Sequence, residues 1–354
     1  MRGHFSLQIL RKIEQIAEQA SGNRDIRLCD CFDYIAGTST GGIIAAALAI
    51  GLRVSEVEAF YLENASAMFT RNSNWIKRFT TSKYESAILQ AKLQEVFGLE
   101  TTLGSSKLRT LLMLMMLNAS TSSPWPVSSN PNAKYNDIDV WGAASNLHLP
   151  LWQLVRASAA APFFFAPEAI SVGDQTFLFF DGALTSFNNP AFKLFQMATL
   201  QQYGLQWPTG RDNMLLVSVG TGLLANDLAS ATPDSVNFLE ALPAAMQALL
   251  HASTNEQDLL CRCFGDVISG DPIDSEVGSM MGASSISGEA LFTYARYNAD
   301  LSAKSLSRIN LQYDKSVSFD LDSIASIQPC IEIGKYVAEM QVSESHFRQF
   351  WAPV

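Results

Sequence analysis

Asp33-Tyr34-Ile35-Ala36-Gly37-Thr38-Ser39-Thr40-Gly41-Gly42 decides how the rest of the chain is read. A short apolar run, residues 34–36, ends in a Gly-x-Ser-x-Gly pentad, and an apolar pattern of helical character begins at Ile43. Strand, tight turn, helix is the setting that a nucleophile elbow requires. The serine must sit in a strained turn, and Gly37 and Gly41 bring no β-carbon to clash there. Ser39 Oγ is then expected at the N-terminus of the following helix. The free N–H groups and partial positive charge of that helix end suit a developing oxyanion. The pentad alone also fits a glycine turn that binds phosphate or merely packs. The absence of a Gly-Lys-Ser/Thr ending argues against a phosphate-binding P-loop.

The 354 residues are 48% hydrophobic and 16% charged, which points to a sizeable core and excludes disorder. A net charge of −10 argues against nucleic acid as a partner, because phosphate backbones need a basic face. It argues equally against simple adsorption on anionic lipid and leaves apolar membrane contact open. Five cysteines, an odd number, and no secretory signal suggest a reducing compartment. Cys29/Cys31 and Cys261/Cys263 lack the usual metal spacing and a nearby histidine, so they read as buried thiols. Residues 108–117 are the most apolar run and are too short to span a bilayer. The expectation is a soluble, cytoplasmic protein with no metal and no cofactor.

Apolar residues from Phe5 to Ala17 recur at mostly helical spacing, and Gly22-Asn23 ends that helix. Residues 54–69 predict a second helix, with Ser55 as N-cap and Glu58 completing a capping box. Residues 84–97 predict a third. Residues 108–117 read as a strand buried on both faces, and 118–137, rich in Ser, Asn and Pro, as a long lid-like loop in which Trp125 is an anchor. Then come a small-residue helix over 151–161, the Phe163-Phe164-Phe165 triplet, a strand over 177–180 ending at Asp181, a helix over 191–203 and a strand over 214–219. A helix over 236–251 is expected to kink at Pro243, and 265–288 to be loop. An alternating run over 317–321 and a helix over 331–342 close the chain. Alternating strands and helices, with polar or glycine-rich motifs at strand ends, predict an α/β fold with a mostly parallel central sheet flanked by helices. Residues 1–315 are expected to form one domain, with 316–354 an extension packed on it.

An activated serine needs a base. Four histidines are present: His4, His148, His251 and His346. Ser39, Asp181 and a later histidine stand in the order of an α/β-hydrolase triad. Against that, the elbow comes after room for only one strand, and neither late histidine lies in a strand-end loop. Asp181 follows an apolar strand and precedes Gly182, so it can reach an elbow on a neighbouring strand. Burial among aromatics would raise its pKa toward what a general base needs. An Asp-Gly bend with no other role is the plain alternative.

Taken together, Gly37-Thr38-Ser39-Thr40-Gly41-Gly42, Arg156-Ala157-Ser158-Ala159-Ala160-Ala161-Pro162-Phe163-Phe164, Asp181-Gly182-Ala183 with Asn188-Asn189-Pro190, and Ser218-Val219-Gly220-Thr221-Gly222 occur in the order found in patatin-like phospholipases. Arg296-Tyr297-Asn298 also resembles a bacterial branch of that family. The resemblance covers roughly residues 1–300. It implies a three-layer α/β architecture, a catalytic Ser39–Asp181 dyad without histidine, and hydrolysis of acyl-ester lipids through a serine acyl-enzyme. It implies no cofactor, a phospholipid or other acyl-ester lipid as substrate, and transient membrane contact, with self-association left open. The family's Asp-Gly-Gly-Gly-x-Arg-Gly oxyanion motif is matched here only by Arg2 and Gly3, so the expected oxyanion and substrate-binding set is Arg2, Gly3, Gly37, Thr40 and Gly41. The shortened motif favours, as the competing reading, a catalytically weak lipid-binding or effector protein. A conventional esterase with a histidine triad is the third.

Overall fold

The computed structural model describes residues 2–68, 84, 86–162, 164–223, 238–308, 319 and 323–351. Helix α1 (Gly3–Ser21) buries Phe5, Leu7, Ile9, Ile13 and Ile16 and ends at Gly22, whose φ of 66° closes the last turn. Strand β1 (Tyr34–Thr38) feeds α2 (Thr40–Ala49), which is buried from Gly42 to Ala49, as its uniformly apolar sequence demands. Helices α3 (Val54–Met68) and α4 (Ser86–Phe97) follow. Strands β2 (Leu111–Asn118) and β3 (Ser123–Ser128) lead to α5 (Leu151–Ser158), then β4 (Glu168–Val172) and β5 (Gln175–Asp181). The chain continues through α6 (Ala191–Thr199), β6 (Leu215–Val219), α7 (Phe238–Phe264), β7 (Asp266–Ser269), β8 (Thr293–Tyr297) and α8 (Ile327–Gln341).

These strands form two sheets, ordered β1-β2-β5-β4 with β3 also on β2, and β6-β8-β7. β1–β2 and all of β6–β8–β7 pair parallel, and helices pack against both sheets. The result is the α/β fold expected, with a mostly parallel centre. Antiparallel pairing is confined to the strands gathered around β2: β3, β5 and, beyond it, β4. Successive residues of β2 face opposite sides. Leu112, Leu114 and Met116 join the main core with α2 and α5, whereas Met113 packs with Tyr34, Met197 and Ala198 on the α6 side. Burial on both faces explains its unbroken apolar sequence.

One feature of β2 positions the site. β1 lies along it over residues 111–115 and β5 over 116–118, while β3 pairs with residues 113–118. A strand has only two edges, so β1 and β5 share one, approaching each other from opposite directions. β1 ends with Thr38 opposite Met115, and β5 ends with Asp181 opposite Met116.

Several expectations are corrected. The stretch 118–137 contains β3 despite Pro124 and Pro126. These stand at alternate positions on an outer strand, where both missing N–H groups fall on one edge. Trp125 within it stacks on Phe179 at 4.8 Å and anchors the strand. α3 starts one residue before Ser55, and Glu56, not Glu58, reaches back to the Arg53 N–H at 2.6 Å. Residues 28–31 form a single helical turn before β1. α5 stops at Ser158, short of Pro162, and residues 265–288 include β7. α7 continues past residue 251 to Phe264, so His251 lies inside a helix. Phe165 is core and Phe164 stacks on Tyr84, whereas Phe163 and all but Phe319 of the 317–321 run lie outside the described residues.

Candidate active site

The junction of β1 and α2 leaves no room for a side chain at its start. A β-carbon on Gly37 would run into the Gly41 carbonyl. Ser39 takes φ 57° and ψ −125°, a conformation a non-glycine residue holds only when its surroundings enforce it. Its carbonyl oxygen accepts from the Gly42 and Ile43 amides at 2.8 and 3.2 Å, which starts α2 at once. The Thr40 and Gly41 amides have no backbone acceptor among the described residues, as expected for the first turn of a helix.

Ser39 Oγ donates to Asp181 Oδ2 at 2.5 Å. The other carboxylate oxygen, Oδ1, accepts from the Ala183 N–H at 2.8 Å, which fixes the carboxylate plane. Asp181 is 2% exposed, and burial pushes its pKa up to about 6. The bonds from Ser39 and Ala183 and the charge of Arg156 oppose that rise. Arg156 is itself buried; its Nη2 donates to the Ala166 carbonyl and its guanidinium lies over the Phe165 ring. Its Nε and Nη1 have no protein acceptor among the described residues.

The remaining expected residues fall into three places. Gly3, at the start of α1, sits so close to Thr40 that a β-carbon there would meet the threonine methyl, so two helix N-termini converge beside Ser39. Arg2 Nη1 is turned to the Gly222 carbonyl at 3.3 Å. Gly37 is a packing residue of β1, and Thr40 and Gly41 carry the open amides. None of the four histidines hydrogen-bonds Ser39 among the described residues. His4 is buried in α1 with both ring nitrogens unpaired, and burial lowers its pKa to about 4. His346 Nδ1 pairs with the Tyr297 hydroxyl at 2.8 Å, and His251 lies on α7.

Two contacts at the site were not read from the sequence. The Ser39 N–H donates to Ser158 Oγ at 3.1 Å, and the Asp181 N–H donates to the Ala160 carbonyl at 3.0 Å. The segment that supplies both, residues 156–164, was visible as a motif but had no assigned task. Among the described residues there is no group of three or more His, Cys, Asp or Glu side chains that would hold a metal, and no helix long and apolar enough to cross a membrane. All five cysteines are free thiols, and burial raises the Cys29, Cys31, Cys261 and Cys330 pKa values.

Residues 1–194 match the family model described as patatin-like phospholipase. A cGAMP-activated phospholipase of Escherichia coli is 33% identical over 194 residues, covering 54% of this chain and 51% of that protein. Its namesake in Vibrio cholerae is 30% identical over 200 residues, covering 54% and 53%. Patatin-T5 of Solanum tuberosum is 27% identical over 239 residues, covering 63% and 58%. The chain thus spans about half the length of the bacterial relatives it matches. With more than half of its own residues under the family model, and with the elbow and the strand-end aspartate both inside that region, this chain belongs to the patatin-like phospholipase family.

Proposed function

We propose that the chain hydrolyses acyl esters of lipids, phospholipids among them, through an acyl-enzyme on Ser39 with Asp181 as its sole general base. The observation that carries this reading is the 2.5 Å hydrogen bond from Ser39 Oγ to a buried carboxylate. A carboxylate with a pKa near 6 is deprotonated at neutral pH yet basic enough to take a proton in flight. Asp181 Oδ2 accepts the Ser39 proton as Oγ attacks the acyl carbon. Negative charge gathers on the carbonyl oxygen, within reach of the Thr40 and Gly41 amides and the positive end of α2. Collapse breaks the ester C–O bond, and Asp181 returns its proton to the leaving alkoxide. Water, deprotonated by the same carboxylate, then releases the fatty acid and restores Ser39.

The partner this implies is a lipid ester met in transient membrane contact, with no nucleic acid and no cofactor. The free thiols support a reducing, cytoplasmic setting. The packing of α8 on α1, with Gly334 against Phe5, supports reading residues 316–354 as an extension of the 1–315 unit. The test is labelling by a fluorophosphonate together with hydrolysis of a p-nitrophenyl ester and of phospholipid vesicles. Ser39→Ala is expected to lose both label and turnover with its fold intact. Hydrolysis that survives in Ser39→Ala overturns the reading; labelling of Ser39 without any turnover points to a lipid-binding protein instead. Running the assay with and without cGAMP tests whether the activation named for the bacterial relatives extends to this chain.

A further inference from the structure

The end of α5 touches both halves of the site within three residues. Ser158, the last residue of α5, is completely buried. Its hydroxyl has one proton, and that proton is donated to the Met115 carbonyl at 2.7 Å. A lone pair is therefore left facing the Ser39 N–H, which donates to it at 3.1 Å. Met115 is the β2 residue opposite Thr38, so the acceptor that orients Ser158 belongs to the strand that holds the elbow in register. Two residues further on, the Ala160 carbonyl accepts from the Asp181 N–H at 3.0 Å. The nucleophile's amide and the base's amide are thus both tied to one short segment.

The conformation of Ser39 makes the first of these ties consequential. With φ at 57° its amide is turned out of both the β1 ladder and the α2 helix, and among the described residues no backbone carbonyl receives it. Ser158 Oγ is the one acceptor recorded for it among the described residues. Without that acceptor, the torsions that aim Oγ at Asp181 lose their restraint on the amide side. We propose that Ser158 is a positioning residue: its hydroxyl holds the Ser39 amide and so sets the direction of Oγ toward Asp181 and the acyl carbon. This inference rests on the Ser39–Asp181 reading above. It assigns a task to the hydroxyl of a motif in which the Ala160 carbonyl accepts from the Asp181 N–H and the Arg156 charge acts on the Asp181 carboxylate.

A misaimed nucleophile reacts slowly without binding substrate less well. Ser158→Ala is therefore expected to lower kcat, and the rate at which a fluorophosphonate labels Ser39, on the order of 100-fold with KM nearly unchanged. The acid limb of the pH profile should move slightly upward, because Asp181 keeps its bonds to the Ala183 and Ala160 backbone but loses part of the Ser39 bond that opposes the rise of its pKa. Ser158→Thr, which retains the hydroxyl, should recover most of the rate. If Ser158→Ala does not fold, as judged by circular dichroism and thermal melting, Ser158→Cys keeps the bulk, weakens the acceptor and takes its place. A folded Ala or Cys variant that labels at the wild-type rate overturns the proposal, as does a loss that appears only in KM or that Thr fails to recover. Ser39→Ala run alongside separates the two levels: if it still turns over, the dyad reading falls and takes this inference with it. If it is inert while Ser158→Ala is unimpaired, only the positioning role falls.

Discussion

Two glycine-rich strand ends look alike in this sequence: Gly37-Thr38-Ser39-Thr40-Gly41 after β1, and Ser218-Val219-Gly220-Thr221-Gly222 after β6. The second is tied down through both of its glycines. The Gly220 N–H donates to the Tyr297 carbonyl and the Gly222 N–H to Asn298 Oδ1, while the Gly220 carbonyl accepts from Ser6 Oγ and the Gly222 carbonyl from Arg2. Ser218 is held by Asn189 and Arg296. The first end turns directly into a helix and, among the described residues, leaves the Thr40 and Gly41 amides without a backbone acceptor beside a hydroxyl that faces a carboxylate. Glycine at a strand end permits either outcome. What separates them is how neighbouring chain engages the glycines: at the second end both Gly220 and Gly222 are bonded through N–H and carbonyl, which makes that turn a scaffold.

The widest gap between the two ends should open when the carboxylate is neutralised. Asp181→Asn is expected to lower kcat by about 10²–10⁴-fold, the usual worth of a general base, while alanine at His251 or His346 leaves turnover close to wild type. A histidine variant as damaging as Asp181→Asn in ester hydrolysis would restore the triad reading.

A methyl group sharpens the same contrast. In Gly37→Ala the new β-carbon meets the Gly41 carbonyl, so α2 must shift and turnover should collapse together with stability. In Gly220→Ala it meets the Asn298 amide, a scaffold contact. That variant is expected to melt earlier yet to keep its kcat at temperatures where it is folded. Asn298→Ala should behave likewise, losing about 1–3 kcal/mol for the stranded Gly222 amide. Denaturation curves paired with esterase rates check both, and a scaffold variant that is stable but inactive would erase the distinction.

The smallest effects concern pH. The native pKa of Asp181 is about 6, so kcat/KM should fall roughly tenfold per unit below pH 6 as the base becomes protonated. For stability the sign is the reverse. The folded pKa lies above the ordinary aspartate value of 3.8, so the folded chain holds a proton that the unfolded chain gives up between those values. The stabilisation is complete below about pH 4 and lost as pH rises through 6. Asp181→Asn should therefore melt higher than wild type at pH 8, with the advantage shrinking toward pH 4. His4 works the other way: its pKa is lowered from 6.5 to about 4, so its contribution is present above 6.5 and lost as pH falls through 4. His4→Leu should flatten the acid side of the melting profile without moving the acid limb of kcat/KM.

The local elements that rest on short-range physics were legible in the residues alone. The pentad between an apolar strand and an apolar helix marked Ser39 as the elbow, and an apolar strand running into Asp-Gly marked Asp181 as a strand end. The unbroken apolar run became β2 because a strand buried on both faces needs no polar alternation. The stripe of α1 and its Gly22 ending were equally legible. Composition misled where pairing overrode it: Pro124 and Pro126 signalled a loop, yet β3 forms because β2 offers a free edge and an outer strand tolerates missing donors. Tertiary structure alone decided that β1 and β5 share one edge of β2 and end at adjacent residues, Met115 and Met116, though one runs parallel and the other antiparallel to it. Spacing along the chain holds no trace of that, since Ser39 and Asp181 are 142 positions apart. Only tertiary structure, too, brought the Ser158 hydroxyl to the Ser39 amide, because the direction of a buried hydroxyl is set by which carbonyl takes its proton and not by the residues beside it in sequence.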